Sequence, residues 1–302
     1  LGARFSRTCP FFRLADMYIG ETTCDGKKKA YEILAEDVPM HIMDLPQMKR
    51  PVDVKKWADE VRILKDVVEK VTGNPVTKEN LEENIRKINR KRAALQRLYD
   101  LRKNPNVPIS GTDVLLISQI AYYDDPERFT MKVNELCDEL EQRAAQGVNV
   151  AKGKKRIMFT GTPMAVPNWK MHSLVENCGA VVVCEETCTG TRYFENQVDE
   201  SGTTMDEMID HIAERYMKIN CACFTPNTGR IDDILRLAKE YNVDGVIDVH
   251  LKFCQTYDTE SYFVERKLKE EGIPVLEIET DYTETDAQQL KTRVEAFIEM
   301  MD

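Results

Sequence analysis

Nine cysteines in 302 residues are the most chemically suggestive feature of this chain. No secretory context supports a disulfide framework, so the thiols point to metal binding or redox chemistry. Cys24 stands between the strand-like "ADMYIG" (15–20) and the helix-like "KKKAYEILAE" (27–36), with Asp25 reading as an N-cap and Gly26 easing the turn. Unpaired amides and the positive dipole end of a helix favour thiolate over thiol at such a position. Lys27, Lys28 and Lys29 are expected to add to that field. A thiolate suits a nucleophile, and equally a metal or iron–sulfur ligand.

The positions of the other cysteines favour the ligand reading. Cys188 lies in the loop after "AVVVCEE", and Cys254 follows "DGVIDVH" just before the next helical stretch. Cys221 and Cys223 lie in "NCACFTPN", where an extended segment would turn both toward one site. Cys9, in "TCPFF", precedes Cys24 by fifteen residues. These six are predicted to converge on one crevice. Cys137 inside an amphipathic helix, Cys178 at a helix end and Cys184 within a strand read as structural. Paired C-x-x-C knuckles with zinc-ribbon spacing are lacking and the four histidines are scattered, so dispersed thiolates suit an iron–sulfur cluster between domains better than a zinc knuckle.

The elements that must present these thiols follow from periodicity and punctuation. Residues 15–46 carry strand, helix and strand, a βαβ fragment whose missing strands are expected upstream of Leu1. Residues 53–148 read as helical: Val61, Leu64, Val68 and Val71 recur at helical spacing, as do Leu81, Ile85, Ile88, Leu95 and Leu98. From 155 onward, strands "RIMFTG", "AVVVCEE", "DGVIDVH" and "PVLEIET" alternate with helices near 168–178, 205–217, 230–241, 259–271 and 286–300. The fold class predicted is α/β, with two doubly wound parallel-sheet domains, the first incomplete, joined by a helical segment. The expected division is 1–48 for the remainder of the first α/β domain, 49–150 for the helical domain and 151–302 for the second. In a doubly wound sheet, ligands gather at the carboxyl ends of the strands.

Composition narrows the function classes. A net charge of −10 argues against general nucleic-acid binding. Apolar runs such as "GAVVVC" are far shorter than a membrane span, so a cytoplasmic protein without membrane contact is expected. No signal peptide is visible, and the chain opens on Leu1 without a methionine, which reads as cut from something longer, or processed. Residues 49–104 are locally basic, with 16 Lys/Arg against 9 Asp/Glu. The helix surface around Arg86, Lys87, Arg90, Lys91 and Arg97 is either a solvated face or a docking face for an acidic partner or a CoA phosphate.

Longer blocks carry a family resemblance. "CPFFRLADMYIGETTCDGKKKAYEILAEDVPMHIMDLPQ", "CTGTR", "CACFTPN", "DGVIDVHLKFCQTYDTES" and "IETDYTETDAQQLKTRVEAFIE" resemble the 2-hydroxyacyl-CoA dehydratase / benzoyl-CoA reductase superfamily, and within it the double-cubane cluster proteins. The resemblance implies two α/β domains and a helical one, with an iron–sulfur cluster held between the α/β pair. Cys24 and Cys254 match two of three cysteines that hold a [4Fe-4S] cluster in dehydratase subunits, and the third is expected upstream of Leu1. Cys9, Cys188 and one or both of Cys221 and Cys223 suit the additional thiolates of an [8Fe-9S] double cubane. Electrons would come from a separate homodimeric activator ATPase carrying its own [4Fe-4S] cluster. Consistent with an external ATPase, the chain has no G-x-x-x-x-G-K-[ST] loop.

The function expected is therefore an iron–sulfur reductase, itself a homodimer, that takes low-potential electrons from the activator and reduces a small-molecule substrate. The alternative is a 2-hydroxyacyl-CoA dehydratase subunit working through a transient ketyl radical. Gly161-Thr162-Pro163 and Thr189-Gly190-Thr191-Arg192 are candidate donors around the cluster. His172 and Tyr282 are candidate proton donors.

Overall fold

The computed structural model describes residues 1–8, 11–165 and 169–301. The chain is mixed α/β with parallel-strand sheets. Two compact units emerge from its contacts. One comprises Leu1–Ile85 with Val198–Pro226, and the other Arg86–Gln197 with Asn227–Asp302. Residues 49–150 are shared between the two units, and residues 198–226 belong to the unit that contains the amino terminus. No helix among the described residues is long and apolar enough to cross a membrane.

In the first unit, β1 (Tyr18–Glu21) and β2 (Met40–Met43) pair in parallel, Tyr18 opposite Met40. The helix Asp25–Leu34 joins them. A parallel pair needs such a crossover, since a tight hairpin can only connect antiparallel strands. The long helix Pro51–Thr72 starts on a capping box between Arg50 and Asp53 with proline in its first turn, and stops at Gly73 in the left-handed conformation. Its Trp57 and Ala58 bury against Ala213 and Met217 of the helix Met205–Met217, which Thr204 and Glu207 cap. Met43, Cys223 and Phe224 complete this core.

The second unit is built on a four-stranded parallel sheet in the order β4-β3-β5-β6, where β3 is Lys155–Gly161, β4 Ala180–Glu186, β5 Gly245–Leu251 and β6 Val275–Thr280. Alternation along the strands feeds two cores. Ile157, Phe159, Val182, Ile247 and Val249 pack with Met171, Val175, Leu290, Val294 and Phe297. Met158, Val181, Val183 and Val246 pack with Ile234, Leu237, Val264 and Leu268. Helices therefore cover both faces, as the doubly wound reading requires. Leu95, Leu98, Phe129, Val133 and Leu140, from the helices Lys78–Asp100 and Pro126–Ala145, thicken the second core. Strand order reverses at β3, with β4 added on one side and β5 on the other, and a ligand crevice is expected outside that point.

Candidate functional site

Three adjacent strands of the second unit end in the segments predicted to matter. Cys188 sits exposed in the turn after β4, Gly161 ends β3 with Thr162-Pro163 after it, and Cys254 follows β5. Cys254 is the N-cap of the helix Gln255–Glu270, and its carbonyl accepts the Asp258 amide at 3.0 Å. Its own amide donates to Leu251 at 2.9 Å, closing a tight turn that holds Phe253 at φ +70° with 96% of its surface exposed. A left-handed aromatic residue costs on the order of 1 kcal/mol, which the surrounding turn sustains. Gly161, at φ +116°, has space for no side chain: a Cβ there would lie 2.1 Å from the Val249 carbonyl. The chain can thus pass close over the end of β5.

One arginine ties these three strand ends together. Arg192 forms a bidentate pair with Glu186 at the end of β4, donates to the Gly161 carbonyl at 3.2 Å, and reaches the Tyr257 hydroxyl on the helix that Cys254 caps. Its Nη1 also lies 3.9 Å from the Cys188 sulfur, a cation placed beside a potential anionic ligand. Arg230 lies in the same buried layer, 2.9 Å from Thr160 Oγ1, 3.4 Å from both Glu186 and Asp248, and 2.5 Å from Glu260. Burial opposes the charge on both guanidiniums, but Glu186 outweighs it, so each is held more firmly protonated than usual. Burial also pushes the Asp248 carboxyl up to about 6 despite Arg230. Such a network is costly to leave half-paired, which fixes the geometry beneath the Cys188 turn.

The first unit presents its cysteines differently. Cys24 is the exposed N-cap of the helix Asp25–Leu34, with its carbonyl accepting from Lys28 at 3.1 Å. Each of the three lysines beside it has a carboxylate: Lys27 pairs with Glu21, Lys28 with Asp25 at 2.7 Å and Lys29 with Glu32 at 2.7 Å. The expected positive field is largely offset at its source. Gln47 links the Cys24 turn to the Cys221–Pro226 loop, its side chain donating to Thr22 at 3.4 Å and its carbonyl accepting from Thr225 at 2.9 Å. That loop is not extended. The Phe224 amide bonds back to the Cys221 carbonyl at 3.0 Å, and the resulting turn overrides the alternation that would have faced both cysteines alike. Cys223 is buried beside Met43, Trp57 and Phe224, while Cys221 is partly exposed at the edge of that core.

A family model described as "2-hydroxyglutaryl-CoA dehydratase, D-component" matches residues 1–301. The chain belongs to that family. It is 36% identical, over 97% of its length and 76% of the relative's, to an Escherichia coli (strain K12) protein provisionally named as a dehydratase subunit, YjiM. It is 25% identical to the (R)-phenyllactyl-CoA dehydratase beta subunit of Clostridium sporogenes, covering 94% of this chain and 73% of that one. A benzoyl-CoA reductase subunit of Thauera aromatica is 22% identical, over 84% and 64% respectively. Dehydratase and reductase subunits thus share this family, and an enzymatic role follows.

On this dehydratase-family scaffold the predicted residues separate by environment with two exceptions: Cys223, an expected ligand, is buried, and Cys178, expected to be structural, is partly exposed. Cys24 and Cys188 are exposed and Cys254 and Cys221 partly exposed, whereas Cys137 and Cys184 are core residues. Burial pushes the Cys137 thiol up to about 11 and raises Cys184 and Cys178 as well, which disfavours the ligating thiolate in all three. Cys9 lies outside the described residues. In neither unit, among the described residues, do three of the predicted cysteines come within ligand distance of one another. His172 is fully buried, 3.1 Å from Glu185, and is a structural partner rather than an accessible proton donor. Tyr282 is half-exposed after β6. The basic helix face is likewise reduced: Lys91 is buried and donates to the Ala121 carbonyl at 3.0 Å, and Arg97 pairs with Asp138 and Glu141. Sequence reasoning missed Arg230, Glu186, Tyr257 and Glu260. A strand ending in two acidic residues, "CEE", at a site otherwise apolar was the available signal.

Proposed function

We propose that the chain is the cluster-carrying component of an electron-activated reductase of this family. Cys24, Cys188 and Cys254 would hold an iron–sulfur cluster of the [8Fe-9S] type, with Cys9 and Cys221 or Cys223 as further ligands. Low-potential electrons would come from a separate ATPase that carries its own [4Fe-4S] cluster, and a homodimer would pass them to a small substrate. The observation that supports this reading is the segregation of the cysteines. Cys24, Cys188, Cys254 and Cys221 keep solvent access on their turns, while Cys137 and Cys184 are sealed in the core.

The donor set fits such a group: thiols reachable from solvent, two of them at helix N-caps, and a guanidinium beside a third. When bound, an iron–sulfur cluster supplies one-electron transfer at low potential. The chain's own part is to provide the sulfurs, to hold Arg192 against the Cys188 turn, and to keep that turn rigid on buried ion pairs. Cys223, packed among apolar side chains, suits the role less well than Cys221.

The names of the relatives favour a second reading, a 2-hydroxyacyl-CoA dehydratase subunit, whose cluster we would then assign as [4Fe-4S]. Incubation of the anaerobically purified full-length protein with activator, ATP and reductant distinguishes the two by product. Net reduction of a substrate supports the first reading, and elimination of water from a 2-hydroxyacyl thioester supports the second. Neither product, with iron and sulfide present, leaves an electron carrier.

A further inference from the structure

Beyond the cysteines, the carboxyl edge of the sheet carries a second set of donors. His250, near the end of β5, is 2% exposed, and its Nδ1 has no hydrogen-bond partner among the described residues. Its Nε2 faces Asp258 Oδ1 at 3.4 Å and Glu277 Oε1 at 3.8 Å, and the three atoms lie within 4.8 Å of one another. They come from three elements: β5, the first turn of the helix Gln255–Glu270, and β6. The Ser261 hydroxyl donates to the Asp258 carbonyl at 2.6 Å and lies 3.2 Å from Glu277 Oε1, bridging the two elements beside the carboxylates. Both carboxylates are exposed, and a cation between them would relieve their mutual repulsion.

We propose that His250, Asp258 and Glu277 form a binding site for a divalent transition-metal ion. One imidazole with two carboxylates is a donor set suited to zinc, manganese or ferrous ions, with water filling the remaining positions. An ion about 2.1 Å from each donor requires neighbouring donors about 3–3.5 Å apart, so the observed spacings need only small side-chain rotations. The buried imidazole forms the inner wall. The partly exposed carboxylates leave an entry path from solvent. A bound ion would fasten the first turn of the helix that Cys254 caps to the end of β5 and the middle of β6. These oxygen and nitrogen donors are chemically distinct from the thiols, and the inference does not depend on the cluster.

Full-length protein exchanged into metal-free buffer is titrated with Mn2+, with free ion read from its solution EPR signal. Manganese is the probe because thiolates are poor ligands for it. One saturable equivalent per chain is expected, accompanied by a rise in thermal midpoint, and Zn2+ should displace it. Asp258→Asn, a surface change that spares the core, should weaken binding by about tenfold or more, while Cys188→Ser should not. Absence of saturable uptake, or equal uptake by Asp258→Asn, would overturn the site.

Discussion

Cys188 and Cys24 stand in similar sequence positions, just past a parallel strand, yet their surroundings differ. Under the Cys188 turn lie two buried arginines and the carboxylates they need. Around Cys24 lie three lysines on the surface, each already paired locally. Exposed pairs of that kind contribute little and are screened by salt. Buried ones commit the backbone to one geometry. The first unit therefore offers an adaptable thiol, and the second a rigid one.

Removal of a buried charge should expose this contrast most strongly. Arg230→Met takes the arginine partner from Asp248 and Glu260, leaves Glu186 with Arg192 alone, and should destabilise the protein by about 3–5 kcal/mol in denaturant titrations. Lys28→Met, at the surface of the first unit, should change stability by no more than about 0.5 kcal/mol. Similar losses for the two would break the comparison. Backbone constraints repeat the pattern. Gly161→Ala, facing both a left-handed φ and the Val249 carbonyl, should cost a large share of the stability. Gly26→Ala, with open space around it, should be close to neutral.

Acid offers a gentler probe of the same region. Burial pushes the Glu185 carboxyl up, but Arg102 and the His172 hydrogen bond prevail and hold it at about 2, against an ordinary value of 4.5. A depressed carboxyl stabilises the fold above its unfolded value, and that contribution disappears as pH falls from about 4.5 toward 2. The denaturation midpoint should decline through that window. In Glu185→Gln the midpoint should be lower at neutral pH and flatter with acid; an unchanged slope would refute the assignment. The smallest effect is expected at the helix surface. Reversal of Arg86, Lys87 and Arg90 to Glu should slow ATP-dependent reduction modestly at low ionic strength and leave the cluster spectrum intact. Kinetics unaltered across a salt series would mark that face as merely solvated.

Much of the fold is legible because its strands are short apolar runs punctuated by turns. "AVVVCEE" coincides with β4 at both ends, and the helix Met205–Met217 falls on its expected bounds. The helix after Cys254 is expected from 259 but begins at Gln255, since Cys254 caps it without a Ser, Thr, Asp or Asn to announce it. The short helix Thr191–Phe194, which carries Arg192, has too few residues to show a period. Cysteine positions are legible from spacing; their environments are not. The turn that sets Cys221 apart from Cys223 depends on a bond across three residues, and the Arg192–Arg230 layer joins segments distant in the chain. Pairings of that range leave no local pattern.

The most direct test of the account is the iron and acid-labile sulfide content of anaerobically purified full-length protein and its single cysteine variants. The wild type should be brown, with iron and sulfide near the [8Fe-9S] ratio. Cys24→Ser, Cys188→Ser and Cys254→Ser should lose or remodel the cluster, while Cys137→Ser and Cys178→Ser keep the native spectrum. Iron at about four per chain would move the assignment to the dehydratase reading. Zinc without sulfide, or a native spectrum in Cys188→Ser, would contradict the claim that these exposed strand-end thiols hold an iron–sulfur cluster.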